Sequence, residues 1–146
     1  MTMVGEMAGR VLAIDPGAVR IGVAVSNTAQ TMAFPRPVVL AGSDAVQRLV
    51  AMVDEEEVVA VVIGLPRTLT GGEGASAAMA RGLADELRAA LEHRAVAVVL
   101  VDERFTTVQA SAALRAAGSS AKQQKGAIDS AAAAVLLQSV LDGRTP

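Results

Sequence analysis

The sequence predicts a single α/β domain, with three antiparallel strands and two parallel ones in a mixed five-stranded sheet flanked by helices. Three observations carry that expectation. Short apolar runs at 10–15 and 21–26 are joined by a tight turn containing Pro16 and Gly17, which predicts adjacent strands. The two later apolar runs, at 58–65 and 95–103, are each preceded by a helical pattern, as in parallel additions by right-handed crossovers. No internal repeat or linker divides the 146 residues, a length sufficient to bury a real core. Residues 1–9 read as a flexible N-terminal extension of the one domain, 1–146.

The elements follow in order. After the first two strands, Val38-Val39-Leu40 is a third strand candidate, and Pro35 and Pro37 ahead of it favour an edge or an entry loop. Residues 44–57 carry Val46, Leu49, Val50 and Val53 at helical spacing, with Asp44 and Gln47 at the separation of a capping box. The β-branched run 58–65 predicts a strand buried on both faces. Residues 66–74 form a loop rich in Thr and Gly. A helix over 75–91 follows, with Met79, Leu83, Leu87 and Leu91 every fourth residue. Residues 95–103 predict a second buried strand. Thr106 and Gln109 repeat the capping pattern and open a helix that Gly118 closes. Residues 119–126 are small and polar, and a last helix spans 127–141.

Composition narrows the function. The chain is 52% hydrophobic, yet it has no Trp, Tyr or Cys and only two Phe, so its core is aliphatic. Without cysteine there is neither a disulfide framework nor a thiolate zinc site. No apolar run is long enough to span a bilayer and residues 1–10 lack a secretory signature, so a cytoplasmic protein is expected. A net charge of −2 argues against a broadly basic nucleic-acid binder. Asp54, Glu55, Glu56 and Glu57 read as a solvated acidic face. The two lysines, Lys122 and Lys125, lie just before Asp129, while Arg20 and Arg104 lie near Asp15 and Glu103. That distribution suits a local phosphate contact, with scattered surface arginines as the plainer alternative.

Three acids occupy positions that packing does not explain. Asp15 ends the first apolar run, Glu103 ends the last one, and Asp129 lies in an Ala-rich helical stretch. Carboxylates at such places need compensation. Three converging on one point would repel each other, and a divalent cation relieves the repulsion. Each has a plainer reading. Asp15-Pro16-Gly17 is a good turn sequence. Asp102 and Glu103 alternate between sheet faces, so at most one points at a shared site, and periodicity leaves open which. Lys125 and Asp129 have the spacing of a helical ion pair, in the weaker order. His93, the single histidine, reads as a surface residue.

The segments 15–24 (DPGAVRIGVA), 64–66 (GLP), 102–107 (DERFTT) and 125–132 (KGAIDSAA) together resemble the signature blocks of the bacterial YqgF/RuvX family, in the family's order. That family is described as Holliday-junction resolvases and as pre-16S ribosomal RNA nucleases. The resemblance implies a ribonuclease-H-like fold with a five-stranded sheet. It also implies that Asp15, Glu103 and Asp129 are the catalytic and metal-binding triad, which selects Glu103 over Asp102. Thr68 and Thr70 depart from the Asn and Asp of many relatives, and Phe105 replaces a Leu. These departures put the substrate contacts of the 66–74 loop in question and leave the acids intact.

The expected chemistry is metal-dependent phosphodiester hydrolysis, with one or two Mg2+ or Mn2+ ions bridged by Asp15. Arg20, Arg104 and Lys125 are candidates for holding phosphate oxygens. The expected partner is nucleic acid: precursor 16S ribosomal RNA, processed at its 5' end, or branched DNA, with the chain a monomer or weak homodimer and no membrane involved. Two other readings compete. An ATP-binding module of the actin and sugar-kinase superfamily also opens on an Asp-x-Gly turn, and failure to bind ATP would dispose of it. A non-catalytic nucleic-acid-binding factor would keep the acids as relics, and metal titration separates it from an enzyme.

Overall fold

The computed structural model describes residues 8–66, 72–103 and 130–143. Its sheet is built from β1 (Arg10–Asp15), β2 (Arg20–Ser26), β3 (Ala33–Leu40), β4 (Val58–Leu65) and β5 (Ala97–Asp102), in the order β3-β2-β1-β4-β5. The strands β1, β2 and β3 are antiparallel neighbours, while β4 and β5 run parallel to β1. The helices are α1 (Ala45–Glu55), α2 (Ala75–Ala90) and α3 (Ala131–Gly143). The expected sheet is therefore present. The helix expected after Thr106, the start of the last helix and most of the N-terminal extension lie outside the described residues.

Strand alternation divides the core in two. Leu12, Ile14, Ile21, Val23, Val61 and Ile63 face α1 and α2, where Leu49, Val53, Ala80 and Leu87 cover them. Val11, Ala13, Ala24, Ala60 and Val62 face α3, meeting Ala133, Ala134, Leu137 and Leu141. The β-branched run of β4 is buried on both faces, as its composition predicts. β5 corrects the expectation of a second fully buried strand: it is the sheet's edge, and all six of its residues are half-buried.

Helix α3 is fastened to the sheet by two polar side chains, Ser130 and Gln138, both buried. The pairing of β2 with β3 shifts register between Ile21 and Val23, and Val23 then stands opposite Arg36. The Ser130 hydroxyl is spliced in there, accepting from the Val23 amide at 3.0 Å and donating to the Arg36 carbonyl at 2.6 Å. Gln138 accepts from the Ala33 amide at 2.9 Å and donates to the Thr31 carbonyl at 3.0 Å. Two turns of one helix thus read the backbone of β3 and the turn before it.

Two sequence expectations need correcting. Asp44 stands at the N-cap of α1 but makes no side-chain cap; its carboxylate accepts instead from Arg48 Nε at 2.8 Å. The acidic run 54–57 is not simply solvated. Glu56 accepts from Arg36 Nε at 2.7 Å, with Arg10 at 3.6 Å, and Asp54 accepts from Arg94 Nε at 2.9 Å. The Arg36 hydrogen bond holds the Glu56 carboxyl below its ordinary range despite partial burial. Long-range arginines answer these acids, which a reading of local charge runs does not detect.

Candidate active site

Asp15 is the last residue of β1, and alternation from Val11 and Ala13 puts it on the α3 face of the sheet. The Pro16-Gly17 turn follows at once, and a side chain at Gly17 would collide with the Arg20 carbonyl oxygen, so the tight return into β2 requires glycine. Gly22 of β2 stands opposite Asp15. On the other side Ile14 pairs with Ile63, which puts Gly64 of β4 beside Asp15. The central carboxylate therefore lies between two strand positions that carry no side chain.

Glu103 follows β5 directly. Val101, which pairs with Gly64, packs into the α3-side core, so Glu103 lies on the same face as Asp15. Asp102 pairs with Leu65, a residue of the opposite core, and so faces away. Of the two neighbouring acids, Glu103 is the one that shares the sheet face of Asp15. Its side chain lies over Gly64: a Cβ built there would sit 2.6 Å from Glu103 Oε1.

The two carboxyls are hydrogen-bonded to each other. Burial, that hydrogen bond and the like charges of Asp15 and Asp102 push the Glu103 carboxyl up from its ordinary 4.5 to about 7. Two hydrogen-bonded acids on one sheet face, one of them seated over Gly64, form a donor set suited to a hard divalent cation. A cation would offset both the burial and the like-charge repulsion that raise Glu103. These residues fit magnesium or manganese. Among the described residues no cluster of three or more metal-ligating side chains forms, and the two acids stand as a pair.

Arg20 opens β2, is exposed, and shares the sheet face of Gly22 and Asp15 by alternation. Asp129, Lys125 and Arg104 lie outside the described residues; Asp129 is joined directly to Ser130, whose hydroxyl is fixed beside the partner of Asp15. His93 is on the surface, its side chain 90% exposed, as expected. Sequence reasoning missed Gly22 and Gly64 as the floor of the site and Ser130 as its neighbouring anchor. Their signal was present in the motif blocks, but only the register shows what they do. On the far face a cavity of about 350 Å³ lies between the Pro16-Gly17 turn, Ala45, Met79 and Leu83, separated from the acids by the sheet.

Solved structures share this architecture. Thermus thermophilus RuvC in complex with a Holliday junction aligns over 93% of this chain and 95% of its own, with a TM-score of 0.57 and 18% identity. The Fowlpox virus resolvase in complex with Holliday junction DNA aligns over 94% and 99%, with a TM-score of 0.58 and 8% identity. At such identities the likeness is one of fold, the ribonuclease-H-like arrangement of resolvases. Sequence relatives are nearer. A protein of Mycobacterium ulcerans named "Putative pre-16S rRNA nuclease" is 46% identical over 96% of this chain and 82% of its own length. One of Streptomyces avermitilis with the same name is 45% identical over 94% and 88%. The family RuvX, described as Holliday junction resolvase, matches residues 9–143, and with relatives this similar over nearly the whole length the chain belongs to that nuclease family.

Proposed function

We propose that residues 1–146 act as one divalent-metal-dependent nuclease domain that trims the 5' end of precursor 16S ribosomal RNA in the cytoplasm. The observation that carries the chemistry is the hydrogen-bonded pair of Asp15 and Glu103 on one sheet face over Gly64, with Glu103 raised to about 7. Asp15, Glu103 and Asp129 are the residues assigned to hold Mg2+ or Mn2+. When bound, the ion supplies Lewis-acid stabilisation of charge on the phosphate.

The chain's own groups do the rest. Asp15, held rigidly at the end of a buried strand, fixes one oxygen donor against the sheet. Glu103, whose carboxyl is raised to about 7, would give up its proton to serve as a carboxylate donor to the ion. Arg20, on the same face and without an ion-pair partner among the described residues, is placed to hold a backbone phosphate oxygen, with Lys125 and Arg104 assigned the same role. The absence of Tyr and Trp removes the stacking platforms of single-strand binders, so phosphate contacts dominate recognition.

Resolution of four-way DNA junctions is the second reading, favoured by the description of the matching family. Symmetric cleavage of a junction needs two sites related by a two-fold axis, whereas trimming one RNA strand needs one. Cleavage of matched linear and branched RNA and DNA with Mg2+ or Mn2+, alongside light scattering at micromolar concentration, separates the two. A stable dimer that cuts junctions symmetrically and ignores RNA would overturn the ribosomal assignment. No cleavage of any substrate would overturn the nuclease.

A further inference from the structure

We propose that Gly64 is a positioning residue for Glu103: the space left by its missing side chain seats the Glu103 carboxylate against Asp15 in the geometry that receives the cation. The inference rests on the nuclease reading and deepens it. Its starting point is an oddity of composition. Strand β4 reads Val-Val-Ala-Val-Val-Ile-Gly-Leu, and a glycine interrupts an otherwise apolar, centrally placed strand. Glycine inside a strand weakens it and marks a close approach by another group.

The approaching group is identified by geometry. A Cβ built on Gly64 would lie 2.6 Å from Glu103 Oε1, 3.1 Å from Cγ and 3.2 Å from Cδ, and these are its three nearest neighbours. Among the described residues, chain neighbours aside, no backbone atom or core side chain comes nearer to that position than these three atoms. The backbone of Gly64 is not in the left-handed region either, so alanine there would strain no dihedral angle. The strand can accept a methyl group, but Glu103 in its present position cannot. Since Glu103 is flexible, the fold would relax by lifting the carboxylate off the sheet, away from Asp15. Gly22, opposite Asp15 on the other side, likewise carries no side chain.

The test is a cycle in the full-length chain: parent, Gly64→Ala, Glu103→Ala and the double variant, with Gly82→Ala on α2 as a control, where a Cβ meets nothing within 4 Å. The readouts are Mn2+ affinity by calorimetry, thermal melting, and the kcat and KM of cleavage. Gly64→Ala should weaken Mn2+ binding by about tenfold or more and lower kcat similarly, with KM near the parent's. In the Glu103→Ala background the same substitution should cost no further affinity, and the two melting shifts should be non-additive. Gly82→Ala, inside a helix, should leave Mn2+ affinity, kcat and KM unchanged and at most raise the melting temperature slightly. Parent-like Mn2+ affinity in Gly64→Ala, an equal loss without Glu103, or additive melting shifts would each overturn the proposal. If the parent neither binds Mn2+ nor cleaves nucleic acid, the nuclease reading fails and the proposal with it, while the melting cycle still shows whether Gly64 seats Glu103.

Discussion

Replacing Ser130 with alanine removes one hydroxyl that serves two buried backbone groups, the Val23 amide at 3.0 Å and the Arg36 carbonyl at 2.6 Å. Ser130 is fully buried, so water does not replace the lost partner. An orphaned buried group costs about 1–3 kcal/mol, and a carbonyl with a second lone pair sits near the low end. Both groups together put the loss at about 2–3 kcal/mol. For a chain of this size that corresponds to a fall in Tm of roughly 5–10 °C. Denaturant unfolding monitored by far-UV circular dichroism measures it, with the slope checked to be unchanged. Ser130→Thr, which keeps the hydroxyl, should recover part of the loss. A Ser130→Ala variant within about 0.5 kcal/mol of the parent would refute the reasoning. It would mean that Val23 and Arg36, already opposite each other, close their own ladder bond once the hydroxyl is gone.

Asp15→Asn, Glu103→Gln and Asp129→Asn should each abolish cleavage with melting preserved, whereas Asp102→Asn, on the opposite face, should retain most activity; equal losses at 102 and 103 would reverse the facial assignment. Stability should depend on pH through Glu103, whose carboxyl is raised to about 7. The unfolded chain gives up this proton near pH 4.5 and the folded chain keeps it longer, so the contribution is most favourable below pH 4.5, declines up to about pH 7 and is flat above. The decline should be well under the roughly 3 kcal/mol of an unscreened shift, because the carboxyl is partly exposed, and Glu103→Gln should flatten it in melts across that range. Lys125→Ala should weaken nucleic-acid binding for all sequences and reduce the salt slope by about one phosphate contact in fluorescence titrations; an unchanged slope would assign Lys125 to pairing with Asp129 instead.

Strands β1, β2, β4 and β5 were legible as apolar runs bounded by turn chemistry, and α1 and α2 because their apolar spacing is helical; β3 begins at Ala33, five residues before the expected Val38, because an edge strand tolerates Pro35 and Pro37. What the pattern missed is non-local. The local exception is Asp44, which has the spacing of a cap but turns its carboxylate to the guanidinium of Arg48 one turn on. The partners of Glu56 are 20 and 46 residues distant. Within the site, the choice between Asp102 and Glu103 needed the register of β4 with β5, which no single strand encodes. Gly22 and Gly64 were visible only as motif letters, because an empty position acquires meaning when a neighbour fills it.

The prolines of β3 decide how this molecule can meet another sheet. β3 is an outer strand, and alternate residues of such a strand turn their amides away from the inner neighbour. Ala33 gives its amide to Gln138, and the next two positions of the same parity, 35 and 37, are prolines with no amide to give. The outward row is therefore stripped of donors over the first five residues of the strand, so a foreign strand laid alongside finds no ladder to continue. Strand addition by backbone pairing is thereby opposed along residues 33–37 of β3. A partner that meets this stretch of β3 must be gripped through side chains.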